Sequence, residues 1–184
     1  MGSEAAPILE LIGKEIILWD EKLGSILYSR GFFGKPLGIR KSKPGVINRP
    51  LILSLFETLY LMEGLKIRIK QDQKELSVNE FQSYANDTYD GFERKYLIYS
   101  NLRDLGYVVK PGMKFGGDFV IYKKGPGLDH SQWVVQVEND QSKITAINIV
   151  RASRLASSVK KKYLISTIND NNDIQFYGFE REKI

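Results

Sequence analysis

The sequence predicts an α+β chain of two small domains, and three patterns in it carry that expectation. Short apolar runs follow the strand period, most clearly over residues 119–122 and 133–137. Longer stretches repeat apolar residues at helical spacing: Leu51, Leu55, Leu59 and Met62 in one, Phe92, Tyr96, Tyr99 and Leu102 in another. Between them NDTYDG, residues 86–91, is the most turn-rich interval in the middle of the chain. It places a boundary between a small α/β amino-terminal domain of residues 1–88 and a carboxy-terminal domain of residues 89–184.

Taken in order, MGSEAA reads as a disordered start, and the apolar runs of residues 15–34, interrupted by KLGS, read as short strands in a meander. A Gly-, Pro- and Lys-rich loop covers 34–45, either a solvated connection or an RNA contact. Asn48 and Pro50 mark the start of a helix over 51–64 that ends at Gly64, with Glu57 and Tyr60 structural. A strand over 65–69 leads through a polar turn to Ser77 and Glu80, spaced as a capping box at the head of a helix carrying Phe81 and Tyr84. The aromatic helix from Phe92 ends at Gly106, and its tyrosines suit a core better than a base-stacking platform. Strands follow at 107–110, 119–122 and 133–137. A helix over 143–160 turns Ile144, Ile147, Val150, Leu155 and Val159 to the core and Arg151, Arg154 and Ser158 elsewhere. Two last strands, 163–168 and 174–179, flank the hairpin loop NDNND.

Composition bounds the chemistry. Of 184 residues 42% are hydrophobic and 27% charged, which is globular, and no apolar run approaches the roughly 18 residues of a membrane span. We therefore expect a soluble, cytoplasmic protein. The absence of cysteine excludes disulfides, thiolate catalysis and zinc ribbons. The formal net charge is +5, and residues 110–162 hold ten Lys and Arg against four acids, a surplus of six. A surplus so localised suits contact with phosphate.

Around that surplus, MKFGGDFVIYKKGPGLDHSQW contains the chain's one histidine, His130. The segment reads as a strand with Phe119 and Ile121 on one face and Tyr122 on the other, then a basic Gly-Pro loop, then a second strand. Metal-free cleavage of an RNA phosphodiester needs a base for the 2'-hydroxyl, an acid for the 5'-oxygen and a cation for the phosphorane. An imidazole suits the acid, because its ordinary pKa lies near neutrality. Tyr122 becomes a base only with cations close by, and Lys123 and Lys124 adjoin it. Lys160, Lys161 and Lys162 supply cations, or simply close a helix. Competing chemistries fit less well. A metal nuclease of the restriction-enzyme kind would use Asp118 with Gln136-Val137-Glu138, but no lysine completes that pattern, and no phosphate-binding Gly motif or G-x-S-x-G occurs.

The segments YLIYSNLRDLGYVVKPGMKFGGDFVIYKKG, HSQWVVQVEND and RLASSVKKKYLISTI together resemble the catalytic subunits of archaeal tRNA-splicing endonucleases. LSLFETLYLMEG and the SVNEF helix resemble that family's amino-terminal domain. The resemblance implies a nuclease-like carboxy-terminal domain with a mixed sheet flanked by helices. It implies Tyr122 as general base, His130 as general acid and Lys161, in preference to Lys162, as transition-state stabiliser. It also implies that Arg154 is one of a pair of arginines that grip an extruded bulge base, and that Glu138 and Asp140 form a subunit-docking loop; Lys123, Lys124 and Lys160 are expected as further RNA contacts. The second arginine that the family uses to grip a bulge base has no match near Phe176, and the last strand, IQFYGFE, resembles one that pairs between subunits. The implied activity is metal- and cofactor-free excision of introns from precursor tRNA at bulge-helix-bulge sites, giving 2',3'-cyclic phosphate and 5'-hydroxyl ends. The implied assembly is a tetramer, of identical chains or with a structural subunit. The alternative is that this chain is itself a non-catalytic subunit of that complex.

Overall fold

A computed structural model describes residues 7–39, 47–65 and 67–179. The predicted disordered start and residues 40–45 of the 34–45 loop lie outside the described residues. The chain divides into two compact units, Met1–Phe92 and Glu93–Ile184. Each holds one mixed sheet with helices, so the α+β class stands as predicted.

In the first unit β1 (Ile8–Ile12) pairs with β2 (Glu15–Leu18) across a tight turn at Gly13, and with β5 (Arg68–Gln71) in parallel. The order across the sheet is β3-β4-β2-β1-β5-β6, with β3 at Lys35–Pro36, β4 at Leu51–Leu53 and β6 at Lys74–Leu76. The expected meander over 15–34 is corrected here: after β2 the chain forms helix α1, Glu21–Gly31. Asp20 starts it by accepting a hydrogen bond from the Leu23 amide, and Gly24, Leu27 and Tyr28 form its buried stripe. The helix expected from residue 51 is corrected too. Leu51–Leu53 extends beside β2, and α2 (Leu55–Leu65) begins only after Ser54. Ser54 and Glu57 form a reciprocal pair there: the Ser54 hydroxyl accepts from the Glu57 amide at 3.3 Å, and the Ser54 amide donates to the Glu57 carboxylate at 3.0 Å. Glu57 also accepts from Gly34 N, so this buried acid is structural, as expected. Strand β5 lies at Arg68–Gln71, later than the 65–69 expected, and the polar turn after it contains β6. The Ser77–Glu80 capping box opens α3 (Val78–Thr88) as predicted, and holds the Glu80 carboxyl down at about 2, first through Lys74 and then through Ser77.

The second unit opens in α4 (Phe92–Asp104), whose Tyr96, Tyr99 and Leu102 are buried as core aromatics and leucine. Its sheet runs β11-β10-β9-β8-β7, with β7 at Val108–Pro111, β8 at Phe119–Tyr122, β9 at Trp133–Val137, β10 at Lys162–Ile168 and β11 at Ile174–Phe179. Only β9 and β10 run parallel, and the helix α5 (Ala146–Ser158) crosses between them. Alternation along β8 sends Phe119 toward Tyr99 of α4 and Val120 to the other face, where it joins Val134, Tyr163, Ile165 and Ala156.

The inward face of α5 differs from expectation. Ile149, Ala152 and Ala156 meet the sheet, while Ile147, Val150, Leu155 and Val159 are exposed. The helix carries two apolar stripes, and the one with alanines lies against the strands because small side chains let the backbones approach. Of the residues expected inward, Ile144 alone packs on this cluster. Close packing also fixes Gly117, where a Cβ would stand 2.6 Å from Val134 Cγ1 and 2.9 Å from the Val135 carbonyl oxygen. Gly117→Ala is therefore expected to cost about 1–3 kcal/mol of stability, measured by urea denaturation of the full chain.

Candidate active site

The site is built by strand register. Ile121 of β8 stands opposite Trp133 of β9, and Trp133 opposite Lys162 of β10. The last residue of β8 and the residues leading into β9 and β10 therefore share one end of the sheet. Backbone bonds continue that rung: the Gln132 amide donates to Ile121 O at 3.0 Å, and the Lys162 amide donates to Gln132 O at 2.8 Å. Tyr122, His130 and Lys161 all fall at this end. Tyr122 is half-buried against the cluster around Val120, His130 is exposed, and the Lys161 ammonium donates to the carbonyl of Ser131, the residue after His130, at 3.0 Å.

Lys161 reaches that position because α5 ends in a reversing turn. The Lys161 amide bonds Ala156 O and the Lys160 amide bonds Ser157 O, with Lys160 left-handed at φ 57°, the position helices usually give to glycine. Strand alternation then points Lys162 to the opposite face from Lys161 and Tyr163. The Lys161 ammonium lies 4.8 Å from the centre of the Phe115 ring, and burial pushes its pKa below that of an ordinary lysine.

The loop between Tyr122 and His130 is closed by an acid that the sequence reading passed over. Asp129 accepts from the amides of Lys123, Lys124 and Gly125 at 3.1, 3.0 and 2.9 Å. Gly125, at φ 132°, turns the chain so that its carbonyl accepts from Leu128 and Asp129. An Asp closing a Gly-Pro-Gly turn is a recognisable local signal. Phe115 and Ser131 had none, since both act through residues distant in sequence.

The other predicted site residues are spread more widely. Lys123 and Lys124 are exposed beside Tyr122, and Lys123 lies 5.7 Å from the Trp133 ring centre. Arg154 is exposed on α5, about two helical turns before Lys161. Glu138 and Asp140 follow β9 and so lie beyond the end of that strand opposite to His130. Asp140 is exposed, but Glu138 is half-buried, lining a polar pocket with Gln136, Lys143, Asn148 and Tyr163. Burial, then Glu138 and Asp118, push the Tyr163 hydroxyl up. Asp118, which a metal-dependent nuclease would need, pairs with Lys95 at 2.9 Å and accepts from the Val137 amide at 2.8 Å. Among the described residues no group of three or more His, Asp or Glu is placed to hold a metal ion. None of the described helices is long and apolar enough to cross a membrane.

A phenol, an imidazole and an ammonium at one sheet end, beside exposed lysines, are side-chain types that acid–base cleavage of RNA can use. Two family models match the chain: the tRNA intron endonuclease N-terminal domain over residues 8–82 and the catalytic C-terminal domain over residues 92–176. The chain belongs to the tRNA intron endonuclease family and is an endonuclease. It is 38% identical over 157 residues to a tRNA-splicing endonuclease of Hyperthermus butylicus, covering 85% of this chain and 87% of the relative. The corresponding protein of Pyrobaculum aerophilum is 37% identical over 174 residues, covering 92% and 95%. That of Thermococcus onnurineus is 37% identical over 160 residues, covering 87% of each.

Two substitutions test this geometry. Asp129→Ala leaves three loop amides without their acceptor, and is expected to slow RNA cleavage about tenfold to a hundredfold with a much smaller change in RNA affinity, compared by single-turnover kinetics and gel shift. Lys160→Gly removes about 1 kcal/mol of left-handed strain. It should raise the melting temperature while weakening RNA binding and flattening its salt dependence.

Proposed function

We propose that this endonuclease excises introns from precursor tRNA at bulge-helix-bulge sites without a metal or other cofactor, using Tyr122, His130 and Lys161. Tyr122, as phenolate, takes the proton of the 2'-hydroxyl at the cleavage site. The 2'-oxygen attacks phosphorus, and the 5'-oxygen departs with a proton from the His130 imidazolium. Lys161 stabilises the charge that builds on the phosphorane oxygens. The products are a 2',3'-cyclic phosphate and a 5'-hydroxyl. The observation that carries this reading is the 3.0 Å bond from the Lys161 ammonium to the Ser131 carbonyl, which ties the cation to the segment bearing His130.

Lys123, Lys124 and Lys160 supply phosphate contacts around the cut and Arg154 grips an extruded bulge base, in line with their exposure near that sheet end and on α5. Four subunits assemble, either identical or in pairs with a structural chain. Of the two docking acids Asp140 is exposed and Glu138 half-buried.

The test is cleavage of a bulge-helix-bulge RNA in excess EDTA by the wild type and by His130→Ala, with the ends of the products analysed. Cleavage by the wild type with cyclic phosphate ends, and a loss of at least about a hundredfold in the variant, is the expected result. Equal cleavage by both proteins would remove His130 from the mechanism. Cleavage that stops in EDTA would replace the chemistry with a metal-dependent one.

A further inference from the structure

The turn that precedes β8 does more than reverse the chain. Met113–Phe115 forms one 3-10 turn, with the Phe115 amide donating to Gly112 O at 2.7 Å and the Gly116 amide to Met113 O at 3.2 Å. Gly116 is left-handed at φ 77°, and a Cβ on it would stand 2.4 Å from Leu155 Cδ2 of α5. Gly117 is wedged just as tightly against Val134 and Val135 of β9. This turn, seated on β9 through Gly117, carries the Phe115 ring, half-buried against the cluster of Val120, Val134 and Ala156, beneath the Lys161 ammonium.

We propose that Phe115 is a positioning residue for Lys161, its ring face and the Ser131 carbonyl together holding the ammonium where the scissile phosphate arrives. This rests on the reading of Lys161 as the transition-state stabiliser. The choice of an aromatic partner has a chemical reason. A carboxylate would hold the ammonium as firmly, but it would cancel its charge and repel the phosphate. A ring face attracts the cation through its quadrupole and adds no net charge. Among the described residues Lys161 has no ion pair, and one of its three N–H groups is taken by Ser131 O, leaving two for phosphate oxygens. Both glycines of the turn that carries the ring have a structural reason: Gly116 is left-handed at φ 77°, and Gly117 has no room for a side chain against the Val135 backbone.

The test keeps the size of the ring nearly constant and changes its charge distribution. Phe115 is replaced in the full chain by mono-, di- and trifluorophenylalanine, and single-turnover cleavage of precursor tRNA is measured across pH together with RNA affinity and melting temperature. Expected is a stepwise fall in rate with each fluorine, about tenfold by the third, with affinity and melting temperature nearly unchanged. The alkaline limb should move to lower pH, because a ring that attracts the cation less lets Lys161 lose its proton sooner. A flat series would overturn the proposal and leave Phe115 as packing. Lys161→Ala is run beside it. If that variant cleaves at the wild-type rate, the role of Lys161 falls and this proposal with it; if it is inactive while the fluorinated series is flat, only the proposal for Phe115 falls.

Discussion

Register in the five-stranded sheet is the constraint on which the site depends. Trp133 stands between Ile121 on one side and Lys162 on the other, and a slip of one residue in either pairing would send every side chain of that strand to the opposite face. Antiparallel pairing of β8 with β9 needs only the loop between them. Parallel pairing of β9 with β10 needs a crossover, and α5 supplies it. The crossover is pinned by Ala156 in the sheet cluster and by the helix-end turn through Lys160. Residues far apart in the chain thereby acquire fixed positions at one strand end.

The charges of the second unit are arranged to the same effect. Its acids are engaged by the protein: near the site Asp129 spends its carboxylate on three backbone amides, and at the other end of β8 Asp118 spends its own on Lys95 and the Val137 amide. The exposed side chains at that end are mainly cationic, Lys123, Lys124 and Lys160 among them. A basic surface from which carboxylates are withdrawn is the electrostatic condition for bringing a polyanion to a cleavage site. The acid that closes the loop thus shapes the backbone, its carboxylate taken up by three amides.

In the first unit, the corrections to the sequence reading share a cause. Residues 26–34 contain enough aromatic and branched side chains to pass for strands, yet Asp20 caps a helix there because its carboxylate satisfies an otherwise unpaired amide. Leu51–Leu53 is an apolar run too short to declare its period, and its pairing with β2 makes it a strand. The capping pair of Ser54 and Glu57 was present in the sequence as S-x-x-E, one turn later than the start read from Asn48 and Pro50.

What can be read from residues alone is what acts over short stretches of chain. The aromatic helix α4, the strands β8, β9 and β11 and the Ser77–Glu80 box were legible because spacing and caps act within a few residues. His130 and Tyr122 stood out as candidates, as the chain's one imidazole and a phenol beside two lysines, and resemblance added Lys161 as a third. Folding in three dimensions settled the rest. It selected which of two apolar stripes on α5 faces the sheet, which of three consecutive lysines points toward His130's segment, and that a phenylalanine lies beneath that lysine. None of these is local: each depends on strand pairing and close approach between segments that the sequence keeps apart, and a periodic pattern does not specify which partner it will meet.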